Sequence, residues 1–169
     1  MQSIIRAVAL AALLVVSPGG GPTGPAYSAH SIDGLSGRWS GWGSVTMDSG
    51  AAEQVKCVAT YFVKQAGFIK QDGAELVQNL RCASQSFRID AVANLDVKGD
   101  QVSGKWEERT YAAHGSVSGR LTSTGFNLSI QGDNFSAAML VSMSDCKQSI
   151  TIAPRGFDIA RIAVGLDKC

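Results

Sequence analysis

The sequence is poor in the groups that most enzymes use for acid–base and nucleophilic chemistry. Its 169 residues include 2 histidines, His30 and His114, although histidine is the side chain that most often transfers a proton near neutral pH. Gly-x-Ser-x-Gly and phosphate-cradling glycine-rich motifs are missing. From these absences we expect a protein that is not an enzyme, has no catalytic residues and needs no cofactor.

Charge is also scarce. Charged residues make up 17% of the chain, and the formal net charge is +1. The lysines and arginines are scattered, whereas a nucleic-acid surface needs them clustered to neutralise phosphates. We therefore expect no nucleic acid partner.

Long apolar runs are confined to the N-terminus. A lone Arg6 precedes the unbroken apolar run Ala7–Val16, and Ser17-Pro18-Gly19-Gly20 would end a helix there. Ala26-Tyr27-Ser28 then places small residues at the positions that signal peptidases favour. Ten apolar residues are too few to span a bilayer, which takes about 20. This layout predicts a signal peptide cleaved after Ser28 or Ala29, and hence no transmembrane segment in the mature protein.

The chain accordingly divides into three parts. Residues 1–28 are the predicted signal peptide, residues 29–34 a flexible lead-in and residues 35–169 a single domain. An exported protein of this kind is periplasmic or secreted.

Four cysteines lie in the mature chain: Cys57, Cys82, Cys146 and Cys169. An even number in an exported protein predicts two disulfides. Three pairings are open, and we favour Cys57–Cys82 with Cys146–Cys169 because each pair is close in sequence. The absence of a Cys-x-x-Cys spacing argues against a metal site.

Within the domain, apolar and polar residues alternate with a period of two, which is typical of strands with one buried face. The clearest runs are Val55–Val63, Leu76–Cys82, Phe87–Val97, Phe126–Ile130 and Phe135–Met143. The tail Ile159–Leu166 fits either a strand or a helical turn followed by a strand.

Turn sequences such as Gln71-Asp72-Gly73 and Lys98-Gly99-Asp100 separate the runs, and the links are short. Short links between successive strands indicate antiparallel hairpins. The pattern predicts an all-β fold, an antiparallel meander of about 8–10 strands that closes into a barrel because closure removes exposed edges.

At Gly37-Arg38-Trp39 the chain resembles the calycin superfamily, which includes the lipocalins. The resemblance rests on this motif and the meander pattern. It implies a calycin-like barrel whose tryptophan plugs one end, with a basic residue from near the last strand, here Arg155 or Arg161, packed on the indole. Trp42 competes with Trp39 for the role of plug.

Five residues are candidates to line a ligand site: Trp39, Tyr61, Trp106, Glu108 and Met139. Aromatic rings and methionine are common in apolar pockets, although most of them simply build cores. Glu108 shares its strand face with Trp106, so an inward tryptophan predicts an inward carboxylate. The alternative is that the strand end bends into solvent.

Three functional hypotheses follow. The first is an exported, non-enzymatic barrel that binds a small, largely apolar ligand in its interior. The second is a protein-interaction module of the envelope or extracellular space, such as a protease inhibitor, with contact loops at 65–73 and 111–115. The third, an enzyme, would need Glu108, His114 and an arginine around one pocket.

Overall fold

The structure is a computed structural model that describes residues 32–65 and 73–169. The predicted signal peptide and residues 29–31 lie outside the described residues. Within the described ranges, no helix has the length and apolar character needed to cross a membrane.

Ten antiparallel strands follow a single 3₁₀ turn, Ile32–Leu35, in the described parts of the chain. The strands are β1 (Gly37–Met47), β2 (Ala52–Gln65), β3 (Ala74–Ala83), β4 (Arg88–Lys98), β5 (Gln101–Glu108), β6 (Ala113–Thr122), β7 (Gly125–Gly132), β8 (Ser136–Ser144), β9 (Lys147–Arg155) and β10 (Ile159–Asp167).

Each strand pairs with its neighbours in sequence, and β10 pairs with β1 to close the barrel. The first and last strands are joined over seven consecutive pairs, from Ser40 opposite Asp167 to Thr46 opposite Arg161. The predicted meander barrel is therefore confirmed. The tail, for which a helical turn was one alternative, is a strand.

The closed end of the barrel is formed by the 3₁₀ turn, the start of β1 and the end of β10. The Trp39 side chain is 2% exposed there, and its indole N–H donates a hydrogen bond of 2.8 Å to the Leu35 carbonyl oxygen. Ile32 and Leu35 are also buried. Residues 32–34, predicted as part of a flexible lead-in, thus belong to the packed structure, because Ile32 contributes to the plug.

Lys168 supplies the cation that packs on the Trp39 ring, with its Nζ 5.6 Å from the ring centroid. The same ammonium donates hydrogen bonds to the Gly34 and Ser36 carbonyl oxygens. The expectation of Arg155 or Arg161 is wrong. Those residues lie near the β9–β10 turn, at the opposite end of the barrel from Trp39.

Both predicted disulfides are confirmed. Cys57 and Cys82 are directly opposite on β2 and β3 with both side chains buried. Cys146 and Cys169 join the β8–β9 turn to the C-terminus. Two such bonds are typical of a protein in an oxidising compartment.

Candidate functional site at the open end of the barrel

The open end of the barrel is bounded by the turns at 48–51, 84–87, 109–112, 133–135 and 156–158. On several strands, inward side chains become more exposed towards this end. On β4, Leu95 and Val97 are 7% and 4% exposed, whereas Ile89 and Ala91, nearer the open end, are half-buried. The inner face of this strand is therefore packed at the closed end and partly accessible to solvent at the open end.

The same gradient appears on the opposite side of the barrel. On β9, Ile150 is 2% exposed and Ile152 is half-buried. On β10, Leu166 is 1% exposed, while Ile162 is half-buried. The gradient is limited to part of the barrel, because on β2 Val55 at the open end is 1% exposed whereas Val63 at the closed end is half-buried.

Three aromatic rings stand at the open end. Trp106 of β5 meets Phe135 edge-on with ring centroids 5.2 Å apart, and Phe135 contacts Phe157 at 4.7 Å. The Trp106 indole N–H donates to the Gln131 carbonyl oxygen at 3.1 Å, which fixes the ring. Phe157 is 49% exposed. Trp106, Phe135 and Phe157, here called the aromatic rim, present apolar surface at an accessible opening.

A polar network lies in the barrel interior. The Tyr61 hydroxyl donates to Gln148 Oε1 and accepts from Gln78 Nε2, each at 2.9 Å. Tyr61 and Gln148 are both buried. Burial raises the pKa of Tyr61 to about 12, against the weaker opposing effect of its two glutamine partners. The tyrosine is therefore neutral at physiological pH, and the network ties β2 and β3 to β9 across the interior.

Glu108 lies at the open end, where its side chain binds backbone N–H groups. Its carboxylate accepts hydrogen bonds from the Asp90 N–H at 2.8 Å and the Tyr111 N–H at 2.7 Å. Partial burial raises the pKa of Glu108, but these backbone donors outweigh burial and the net pKa is lowered. Both carboxylate oxygens are engaged in holding the β5–β6 turn against β4, and neither is paired with an arginine.

The structure does not gather the five candidate residues into one cluster. Trp106 lies in the aromatic rim and Glu108 beside it, whereas Trp39 is in the plug at the closed end. Tyr61 and Met139, 4% and 8% exposed, lie in the packed interior. Their role towards a ligand stays a prediction.

The cluster required by the enzyme hypothesis does not form. His114 is exposed on the outer face of β6, opposite Glu107, while Glu108 pairs with Ala113 on the inner face. Adjacent strand residues point to opposite faces, so His114 and Glu108 are separated by the wall of the barrel.

Sequence reasoning missed Phe157 at the open end and Gln148 in the barrel interior. Gln148 precedes Ile150 and Ile152 at a spacing of two, so the strand period places it inward. Phe157 follows Gly156 in a turn, and no sequence pattern indicates that a turn residue stacks on another ring.

No protein-family model matches this chain, and no curated protein matches it. Among solved structures, the chain is similar to the S-type phycobiliprotein lyase CPES from Guillardia theta, with a TM-score of 0.57 and 11% sequence identity. The similarity covers 82% of this chain and 90% of the lyase. At this identity the likeness shows the fold. With the closed ten-stranded barrel, it fits the resemblance to the calycin superfamily.

This comparison also corrects one expectation. We expected a protein that is not an enzyme because catalytic groups and motifs are scarce in its sequence. A barrel of the same fold is found in a protein named a lyase. The fold and the scarcity of catalytic motifs therefore do not exclude enzymatic activity.

Proposed function

We propose that this protein binds a small, largely apolar ligand at the open end of its barrel, in the periplasm or the extracellular space. The observation that carries the proposal is the rise in exposure of inward apolar residues of β4, β9 and β10 towards one end. Accessible apolar side chains at the mouth of a β-barrel are a common setting for a small-molecule site.

The aromatic rim supplies the main contact surface in this proposal. Trp106 is anchored by its hydrogen bond to Gln131, so little side-chain freedom is lost when a ligand packs against it. Tyr61 and Met139 close the site from below, Trp39 seals the far end, and Glu108 keeps the β5–β6 turn in position. Binding of an apolar group here removes half-exposed side chains from water, which provides the driving force.

The test uses the neutral fluorophore N-phenyl-1-naphthylamine as an apolar probe. We expect its emission to rise on mixing with the wild-type protein. Ile152→Glu places a carboxylate on the inner face near the open end, and desolvating that charge should abolish binding. Ala153→Glu is the matched control because Ala153 is the next residue on the same strand and is exposed.

A second pair of variants covers the case in which Ile152→Glu does not fold. Trp106→Ala removes the anchored ring and should weaken probe binding about tenfold or more, whereas Trp42→Ala removes a ring on the outer wall and should leave it unchanged. Equal probe binding by all four variants and the wild type would overturn the proposal.

Export is proposed on the N-terminal pattern and the two disulfides. Mass spectrometry of the protein purified from its own host should give a chain that begins at Ala29 or His30. A full-length chain with four free thiols would contradict export.

The alternative of a protein-interaction module is favoured by Tyr111. This residue lies in the predicted contact stretch 111–115 and is 65% exposed at the open end. Large exposed aromatics on turns are typical of protein contacts. Affinity capture from envelope extract with wild type and Tyr111→Ser tests it, and the same proteins recovered with both would reject it.

A further inference from the structure

A second concave surface lies on the outer wall of the barrel, away from the open end. It crosses four adjacent strands, β1, β10, β9 and β8, and has a volume of about 730 Å³. This lies within the roughly 300–1,000 Å³ typical of small-molecule sites. We call it the outer groove.

Gly165 forms the floor of the outer groove. It faces outwards opposite Trp42 of β1 and Ser149 of β9. A methyl group placed on Gly165 would have no atom nearer than the Trp42 carbonyl oxygen at 4.0 Å. Because glycine has no side chain, the outer face of the sheet has a hollow at Gly165.

Trp42 forms an apolar wall beside this floor. Its side chain is 59% exposed, and the Lys56 ammonium lies 5.7 Å from the ring centroid. Burying an indole usually stabilises a protein, so a ring left this exposed next to a hollow is available for a ligand.

The rest of the groove is mixed, because Met143 and Leu166 contribute apolar surface beside small polar groups. Four hydroxyl side chains contribute, namely Thr124, Ser142, Ser144 and Ser149. Lys147 and Asp167 form an exposed ion pair at the groove, with Nζ and Oδ1 2.7 Å apart. The pair offers donors and acceptors while its charges compensate each other.

We propose that the outer groove binds a neutral oligosaccharide. A sugar ring has an apolar C–H face that stacks on an indole and a periphery of hydroxyls that both donate and accept hydrogen bonds. Trp42 matches the first property, and the serine and threonine hydroxyls with the Lys147–Asp167 pair match the second. The Lys147–Asp167 pair carries no net charge, so it does not by itself select a charged ligand. This inference does not depend on the ligand proposed for the open end.

The experiment measures binding of three neutral hexasaccharides, built from glucose, N-acetylglucosamine and mannose, to the full mature protein. Chemical-shift perturbation in ¹⁵N–¹H spectra locates the site. We expect at least one hexasaccharide to shift resonances of β1, β8, β9 and β10 without shifting those of the aromatic rim.

Gly165→Leu is the decisive variant because it fills the floor from a position where a Cβ atom meets nothing nearer than 4.0 Å, so the barrel should still fold. It should weaken hexasaccharide binding at least about tenfold, as should Trp42→Ala. Phe62→Ala is the matched control, since Phe62 is also 59% exposed and lies on the outer face of β2, outside the groove. The affinity of the Phe62→Ala variant for the hexasaccharide should equal that of the wild type.

Three results would overturn the proposal. They are no binding of any of the three hexasaccharides at millimolar concentration, undiminished binding by Gly165→Leu, or shifts confined to the open end. None of these bears on N-phenyl-1-naphthylamine binding, so the two proposals fail separately.

Discussion

The two ends of this barrel are built from similar residue types but pack differently. At the closed end a tryptophan is 2% exposed and is held by a backbone hydrogen bond and a lysine. At the open end another tryptophan is half-buried and meets Phe135 edge-on, and Phe135 contacts the exposed ring of Phe157. The difference arises because chain segments outside the sheet, the 3₁₀ turn and the C-terminal Lys168, cover only the first of these rings.

This comparison separates the contribution of aromatic residues to stability from their contribution to binding. An aromatic ring contributes most to folding when neighbouring chain covers both faces. Where no chain segment covers the ring, part of its surface stays accessible to a ligand. We therefore expect substitutions at the closed end to lower the free energy of unfolding more than substitutions at the open end.

The largest effect is expected from Trp39→Ala. The variant loses a buried indole and its hydrogen bond to Leu35, which should lower the free energy of unfolding by about 3–5 kcal/mol. Denaturant unfolding followed by circular dichroism measures it. Trp42→Ala, on the outer wall, should stay within about 0.5 kcal/mol of the wild type. Equal losses in the two variants would show that the plug has no special role.

Removing a disulfide should have the next largest effect. The bonds span 25 and 23 residues of sequence, so each double cysteine-to-alanine variant should lose about 3 kcal/mol in the chain-entropy model. Cys146→Ala/Cys169→Ala should also alter the Trp39 fluorescence, because the bond holds Lys168 near the indole. Cys57→Ala/Cys82→Ala should leave that spectrum unchanged. Thermal unfolding measures the loss of stability in each double variant, and tryptophan emission spectra show which of the two bonds affects Trp39.

Tyr61→Phe should cost about 1–3 kcal/mol, since it leaves the buried Gln148 without its donor. The effect should depend on pH. The folded-state pKa, about 12, is raised above the value near 10 of an unfolded chain. The contribution of Tyr61 is therefore complete below pH 10 and declines as the pH rises from 10 to 12. The difference between wild type and variant should narrow over this range in alkaline unfolding curves.

The smallest effect is expected at the open end, from Glu108→Gln. Its pKa is lowered in the folded state, so its contribution is present above the unfolded value of about 4.3 and is lost as the pH falls through the lower folded value. Because the side chain is only partly buried, we expect about 1 kcal/mol or less at neutral pH. Unfolding curves should converge in acid, and a difference that persists there would contradict this role.

Several features of the fold were predictable from local sequence. The alternation from Phe87 to Val97 matches β4, and Cys57 and Cys82 oppose each other because both lie at inward positions of neighbouring strands. The Val-Ser-Gly sequences at Val102 and Val117 pair reciprocally, with each valine opposite the glycine of the other strand. Period and turn spacing carry such information because neighbouring strands are joined by short links.

The candidate site was less predictable. Trp106 was identified as an inward aromatic, but Phe157 was not, because its partner ring lies 22 residues earlier on another turn. Glu108 was placed beside Trp106, yet nothing local indicates that the Asp90 and Tyr111 N–H groups occupy its carboxylate. Lys168 packs on Trp39, 129 residues away in sequence, only because β10 pairs with β1.

By itself the sequence determined the strand pattern and the inner and outer faces of the strands, because both depend on spacing along the chain. Only the tertiary structure decided which end of the barrel is covered, which tryptophan is buried and where the outer groove lies. Those outcomes depend on closure between β1 and β10, which brings together residues that no local pattern connects.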